Sequence, residues 1–189
     1  FVSVRDGRDL LYRNNGDGTF ERITSGAIVN DSLTSGSNGW GDFDNDGDLD
    51  LFMAIVDGSS VYYRNEGNDT FTRLDLGAIT TDTGSYRTSC DYDNDGDLDV
   101  LVTNGIFQAP FENYLYRNDT ENGNSWVNIT LKGTVSNTTG IGARVYAKAT
   151  IFGQPVWQMR EVAQMNAYGG HSSLRAHFGL GDATVIDSL

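Results

Sequence analysis

The sequence is short of cysteine and of long hydrophobic runs, and each shortage excludes a class of protein. Cys90 is the only cysteine among 189 residues, so no disulfide can form within the chain. No apolar run approaches the ~18 residues that a membrane-spanning helix needs, and membrane insertion is therefore not expected. If the protein is secreted, something other than disulfides must stabilise its fold.

Positive charge is also scarce. Lys132 and Lys148 are the only lysines, and 13 basic residues face 26 acidic ones, which gives a formal net charge of −13. A chain this acidic repels the phosphate backbone of nucleic acids and the surface of anionic lipids. The natural partner of surplus carboxylates is a hard cation such as Ca²⁺.

A long internal repeat organises the first two thirds of the chain. Tyr12-Arg13-Asn14 recurs 51 residues later as Tyr63-Arg64-Asn65, and a further 53 residues later as Tyr116-Arg117-Asn118. The run Asp44 to Asp50 recurs letter for letter as Asp93 to Asp99. Self-similarity at such a period is the signature of a repeat architecture.

The apolar segments of the repeat predict strands. Leu51 to Val56 and Val100 to Thr103 are short, rich in branched residues and bounded by turn residues. Val61 to Tyr63 and Tyr114 to Tyr116 are expected to be their antiparallel partners. No stretch shows a helical period of 3.6 residues with caps, so the fold class is expected to be all-β.

The acidic loops stop after about residue 123, where we predict a domain boundary. The first domain, 1–123, holds the repeats, and the second, 124–189, is predicted to be a small β-sandwich-like domain. Its Trp126 to Lys132 segment alternates apolar and polar residues as a half-buried strand does. Further strands are expected at 143–150, 156–162, 174–178 and 185–189.

The repeated acidic run predicts two calcium sites. Calcium takes six to eight oxygen ligands, and a chain wrapped around the ion offers side chains at loop positions 1, 3 and 5. Glycine at position 6 permits the sharp turn, the carbonyl of position 7 faces the ion, and position 9 closes the shell. Leu49 and Leu98 are expected to point away into the core. The predicted metal-binding residues are Asp42, Asp44, Asp46, Asp48 and Asp50 in the first loop and Asp91, Asp93, Asp95, Asp97 and Asp99 in the second.

Three other interpretations of the loops are weaker. A solvated acidic turn would leave five carboxylates in nine residues repelling one another by roughly 1 kcal/mol per close pair. An EF-hand needs Glu at position 12 and flanking helices, whereas Met53 and Val102 occupy that position in predicted strands. Magnesium usually takes fewer protein carboxylates.

We expect one Ca²⁺ per loop, and Asp46→Ala or Asp95→Ala to remove only its own site, because stacked repeats contact mainly their neighbours.

These residues resemble the FG-GAP/VCBS repeats, which form β-propeller blades in integrin α-subunits and in many bacterial surface proteins. From about Asn124 the chain is similar to the ASPIC/UnbV module that follows such repeats in cartilage acidic proteins. The matching stretches there are Asn124 to Trp126, Gly140 to Val145 and His177 to Gly181. The resemblance implies calcium ligation by the loops and no catalytic residue.

The number of repeats suggests an incomplete propeller. A closed ring needs at least four blades, and the chain has two loops and part of a third unit. Phe1 to Val4 aligns with the strand after the first loop, so we expect either a piece of a longer protein or strand edges completed by another chain. Unpaired edges template strand addition, which makes self-association one partner hypothesis.

The function expected from the sequence is that of a non-catalytic, calcium-binding extracellular or cell-surface structural protein, with self-assembly into a filament or matrix as one expectation. The alternative is a module of a larger adhesin that binds glycans or proteins. No nucleophile elbow, Cys–His pair or phosphate-binding glycine loop indicates an enzyme. His171 and His177, the only histidines, are expected to be structural because no partner set for zinc exists. Glycosylation sequons occur at Asn30, Asn68, Asn118, Asn128 and Asn137.

Overall fold

The computed structural model describes residues 1–4, 7–33, 35–55, 59–82, 86–103, 112–135, 137–163 and 173–189. Within these ranges the chain is all-β, which confirms the expected fold class. Strands and two one-turn helices follow in the order β1 (Leu11–Asn14), β2 (Phe20–Ile23), α1 (Ala27–Asn30), β3 (Ser35–Gly41), β4 (Asp50–Ile55), β5 (Val61–Asn65), β6 (Phe71–Leu74), α2 (Ala78–Thr81), β7 (Tyr86–Cys90), β8 (Asp99–Thr103), β9 (Tyr114–Tyr116), β10 (Ser125–Thr130), β11 (Arg144–Ile151), β12 (Gln154–Glu161) and β13 (Arg175–Gly181).

The repeat region forms three successive antiparallel sheets. Their strand orders are β1-β2, β3-β4-β5-β6 and β7-β8-β9. Among the described residues these sheets do not close into a ring, which agrees with the expected incomplete propeller. No helix in this part of the chain is long and apolar enough to cross a membrane.

The middle sheet is buried on both faces, because successive side chains of a strand point to opposite sides. On β4, Leu51 and Met53 pack towards the first sheet, whereas Phe52 packs towards the third. The first of these two cores contains Leu11, Ile28, Val29, Leu51, Met53, Val61, Tyr63 and Phe71. The second contains Phe43, Phe52, Tyr62, Leu98, Val100 and Val102. Leu98 therefore lies in a core as expected, while its counterpart Leu49 is only half-buried.

The two one-turn helices are part of the repeat, although the sequence pattern did not predict them. Each begins after a Gly and is followed by an aspartate, Asp31 after α1 and Asp82 after α2. The hydroxyl of Tyr63 donates to Asp31 Oδ2 at 2.6 Å, and that of Tyr116 donates to Asp82 Oδ2. The recurrence of Gly-Ala-Ile at 26–28 and 77–79 is the signal that could have located both helices.

The C-terminal part consists of two strand pairs, β10 with β13 and β11 with β12. Alternate side chains of β11 enter a third core with residues of β13, and this core contains Val145, Ala147, Ala149, Ile151, Val162, Ala176, Phe178, Leu180 and Ala183. Because β10 begins at Ser125, its sheet starts close to the predicted boundary at residue 123, which stays a prediction.

Both terminal strand predictions were wrong in extent. In 185–189 only Ser188 forms a bridge, to Lys148 on β11. In 1–4 only Val2 forms a bridge, to Leu10. Each segment forms one isolated bridge, so its apolar residues alone overstated its strand pairing. His171 lies outside the described residues.

Candidate metal centre

Both acidic loops connect the first two strands of a sheet. Loop one (42–50) joins β3 to β4, and loop two (91–99) joins β7 to β8. Positions 4 and 6 have positive φ in both loops, 59° at Asn45 and 102° at Gly47, then 65° at Asn94 and 99° at Gly96. Asparagine and glycine tolerate this left-handed backbone conformation. The identical sequences of the two loops therefore adopt the same backbone turn.

In loop one, three carboxylates converge. Asp42, Asp44 and Asp46 each offer an oxygen, and these oxygens all lie within 4.8 Å of one another. Backbone N–H groups hold two of these side chains, because Asp46 N donates to Asp44 Oδ1 at 3.4 Å and Asp48 N donates to Asp46 Oδ1 at 2.8 Å. The loop thereby orients its own ligands.

Asp42 is the most deeply buried of these three, at 1% exposure. Its Oδ2 accepts hydrogen bonds from Gly47 N at 3.1 Å and from Gly179 N at 3.0 Å, with Arg160 3.9 Å away. Its Oδ1 is buried and has no hydrogen-bond partner among the described residues. A buried carboxylate oxygen without a donor is costly, and a cation bound here would supply the missing partner.

Loop two repeats this arrangement in a more open form. Asp91, Asp93 and Asp99 bring one oxygen each within 4.8 Å of the others. Asp91 is 5% exposed, its Oδ2 accepts from Asn128 Nδ2 at 2.7 Å, and its Oδ1 has no partner among the described residues. Residues 92–95 are exposed, so solvent reaches this loop more easily than loop one.

The last aspartate of each loop fixes the loop to the sheet. The two oxygens of Asp50 accept from the backbone N–H of position 2 (3.1 Å) and of Asn65 (2.8 Å). Those of Asp99 accept from position 2 (3.0 Å) and from Asn118 (2.9 Å). The asparagines of the second and third Tyr-Arg-Asn motifs therefore close the loop of their own repeat, a role that sequence reasoning missed although the motif was visible.

The predicted ligands thus separate into two groups. The structure brings together Asp42, Asp44 and Asp46 in one loop and Asp91, Asp93 and Asp99 in the other. The other predicted ligands, Asp48, Asp50, Asp95 and Asp97, lie outside these groups. Asp97 Oδ1 accepts from Asn45 Nδ2 of loop one at 2.8 Å. The assignment of all ten as metal ligands stays a prediction.

Burial and mutual repulsion act together on the loop carboxyls. Burial, followed by neighbouring aspartates, raises the pKa of Asp42 to about 8, against the opposing charge of Arg160. Burial likewise raises the pKa of Asp46 to about 6 and that of Asp50 to about 7. In loop two it raises the pKa of Asp97 to about 6. These carboxyls disfavour ionisation unless a cation is bound, and a donor set of oxygens alone suits Ca²⁺.

The glycosylation sequons differ in whether the asparagine Nδ2, the atom that would carry a glycan, already donates a hydrogen bond. Asn118 Nδ2 donates to Phe43 O at 2.8 Å, Asn128 Nδ2 donates to Asp91, and Asn137 Nδ2 donates to Ile141 O at 3.0 Å. A glycan on Nδ2 would disrupt these bonds. Glycosylation stays a prediction, and this geometry favours the exposed Asn30 and Asn68.

Stacked antiparallel sheets with acidic loops between their strands define a β-repeat protein with candidate cation sites. The family model of the FG-GAP-like repeat matches residues 1–53 and 42–102, which together cover more than half of the chain. The chain belongs to the FG-GAP-like repeat family, and the ASPIC and UnbV model matches residues 133–189. FG-GAP repeats are typical of extracellular proteins and commonly bind calcium. No curated protein matches the chain.

Proposed function

We propose that this chain is a non-catalytic, calcium-binding structural or interaction protein of the extracellular space or cell surface. The observation that carries the proposal is the buried Oδ1 of Asp42, which faces two converging carboxylates without a donor among the described residues. Asp91 repeats it in loop two. An ion in each loop would neutralise the aspartates and fix the strands that they connect.

Asp42→Asn tests loop one directly. The substitution replaces a ligand charge in the most buried position, so we expect calorimetric titration to detect one calcium ion instead of two. Asp119→Asn is the matched control, because Asp119 is an exposed aspartate paired with Arg117 outside both loops. Two ions of unchanged affinity in Asp42→Asn would contradict the assignment of Asp42.

The calcium effect should depend on pH. Because burial raises the pKa of Asp42 from 3.8 to about 8, the ion-free fold holds this proton more tightly than the unfolded chain does. Ion-free stability should therefore fall as pH rises through that window, whereas calcium favours the ionised carboxylates. We expect the difference in Tm with and without calcium to widen between about pH 5 and about pH 8. A constant difference across this range would contradict the prediction.

A second candidate function is glycan or protein binding at the outward face of β11 and β12. Trp157, Tyr146 and Met159 are 59%, 50% and 44% exposed on this face, and Lys148 lies over the Trp157 ring. Exposed aromatic rings suit stacking against sugars and packing in interfaces. Trp157→Ala should abolish binding to any glycan captured on an array by the unmodified chain.

Self-association through strand edges is the remaining partner hypothesis. Among the residues that the structure describes, the third sheet has three strands where the second has four. Strand β9 lies at one edge of this sheet, and Leu115 on β9 is 53% exposed. Light scattering with millimolar calcium tests it, and a monomer at high concentration would contradict it.

A further inference from the structure

The β10–β13 sheet of the C-terminal part contacts the first aspartate of both acidic loops. Gly179 N on β13 donates to Asp42 Oδ2 at 3.0 Å, and Asn128 Nδ2 on β10 donates to Asp91 Oδ2 at 2.7 Å. In each case the contacted oxygen belongs to the same carboxylate as a buried Oδ1 for which the described part of the chain provides no donor. One sheet therefore holds the aspartate at position 1 of each loop by one carboxylate oxygen. The other oxygen of that aspartate remains available to a cation.

His177 on β13 joins these two contacts. Its Nε2 lies 2.8 Å from Asn45 Oδ1 in loop one, and its Nδ1 lies 3.1 Å from Asn128 Oδ1. The orientation of the Asn45 amide follows from its other contacts, since its Nδ2 donates to Asp97 Oδ1 and to Gly96 O at 3.2 Å. A continuous polar chain thus runs from loop one through His177 to loop two.

The contact is also close enough to exclude any added atom. A methyl group at Gly179 would lie 2.2 Å from Asp42 Oδ2 and 2.5 Å from Asn45 Cα. On the other loop, a methyl group at Gly96 would lie 1.7 Å from the Trp126 ring of β10. Both loops are therefore packed so closely against the C-terminal sheet that a Cβ atom does not fit at either glycine.

We propose that Gly179 and Asn128 are positioning residues of the two calcium sites and that His177 couples these sites. The proposal rests on calcium binding by both loops. Some groups hydrogen-bond a metal ligand without touching the metal. Removing such a group typically lowers the metal affinity 10–100-fold. The ASPIC/UnbV segment is then part of the calcium-binding unit rather than a separate appendage.

Asn128→Ala tests the positioning role in the full chain. Site-resolved titration uses Ca²⁺ by calorimetry and Tb³⁺ by luminescence sensitised through Trp126, which packs on Gly96 of loop two. We expect at least about a 10-fold loss of affinity in loop two. Asn137→Ala is the matched control, because it removes side-chain amide hydrogen bonds of the C-terminal part that go to Thr139 and Ile141 and not to a loop. Loop two in that control should keep its affinity.

The coupling is tested separately, so the outcome does not depend on how well Asn128→Ala folds. Asp46→Ala disables loop one. In contrast to the independent loops expected from the sequence repeat, we expect this substitution to lower the affinity of loop two at least about 5-fold. In a His177→Phe background, which keeps a ring but removes both ring nitrogens that contact Asn45 and Asn128, Asp46→Ala should leave loop two unchanged.

The outcomes distinguish this proposal from the proposed function. An unmodified chain that binds no calcium overturns calcium binding itself. An unmodified chain that binds two ions, together with Asn128→Ala of unchanged loop-two affinity, overturns the positioning role alone. Independent loops in the unmodified chain, with no effect of Asp46→Ala on loop two, overturn the coupling.

Discussion

Calcium at 100 times its Kd should raise the free energy of unfolding by about 5 kcal/mol relative to chelated protein, because each of two sites contributes about 2.7 kcal/mol. The gain comes from ions that bind the folded loops and not the unfolded chain. The loops bring ten aspartates of a chain with net charge −13 into two small volumes, so the ion-free fold retains strong repulsion. Thermal melts with calcium and with EDTA measure the difference.

Two controls make this result specific. Magnesium at the same concentration should stabilise less, because it prefers a small octahedral shell with several waters. A variant with Asp42→Asn and Asp91→Asn combined should show no calcium-dependent shift. If EDTA leaves Tm unchanged in the unmodified chain, neither loop binds calcium with useful affinity.

Gly96→Ala should destabilise the protein by about 2–5 kcal/mol, even when calcium is absent. Two costs add at this position. The residue has φ +99°, which disfavours a Cβ by about 1–2 kcal/mol. The new methyl group also collides with the Trp126 ring, and overpacking of this kind typically costs about 1–3 kcal/mol.

Gly16→Ala separates these two costs. Gly16 also has positive φ, at +79°, but no atom lies within 4 Å of the position that a Cβ would take. This control should lose only the backbone part, about 1–2 kcal/mol. Chemical denaturation in EDTA measures both variants. Equal losses in the two variants would mean that Trp126 does not pack on loop two in solution.

The sequence predicted the local features of this protein well, because each arises from residues close together along the chain. The repeated Asp-x-Asp-x-Asp-Gly run located both loops, and short branched runs located β4 and β8. The terminal segment 185–189 also contains branched apolar residues, yet only Ser188 forms a bridge. A pattern of apolar residues indicates that a segment has a surface to bury. It does not indicate which strand is available to pair with that segment.

Contacts between distant segments were beyond sequence reasoning. His177 is 132 residues from Asn45, and its neighbours are two amides that any loop or strand could carry. Burial lowers the pKa of His177 to about 4, so the ring is neutral near pH 7 and donates to one of the two amide oxygens at a time. Composition does not reveal this buried contact between the loops and the C-terminal sheet. The Asn118 bond to the second loop was equally hidden, although the repeated Tyr-Arg-Asn motif marked the residue.

The identical loops occupy different surroundings, and this has a consequence for how such arrays evolve. Position 4 of loop one reaches across to loop two and His177, whereas position 4 of loop two accepts from Arg175 on β13. A repeat duplicated between the two loops would separate partners that the C-terminal sheet holds together. A repeat added before loop one disturbs none of these contacts, so the array can lengthen on its N-terminal side while the C-terminal sheet keeps its hold on both loops.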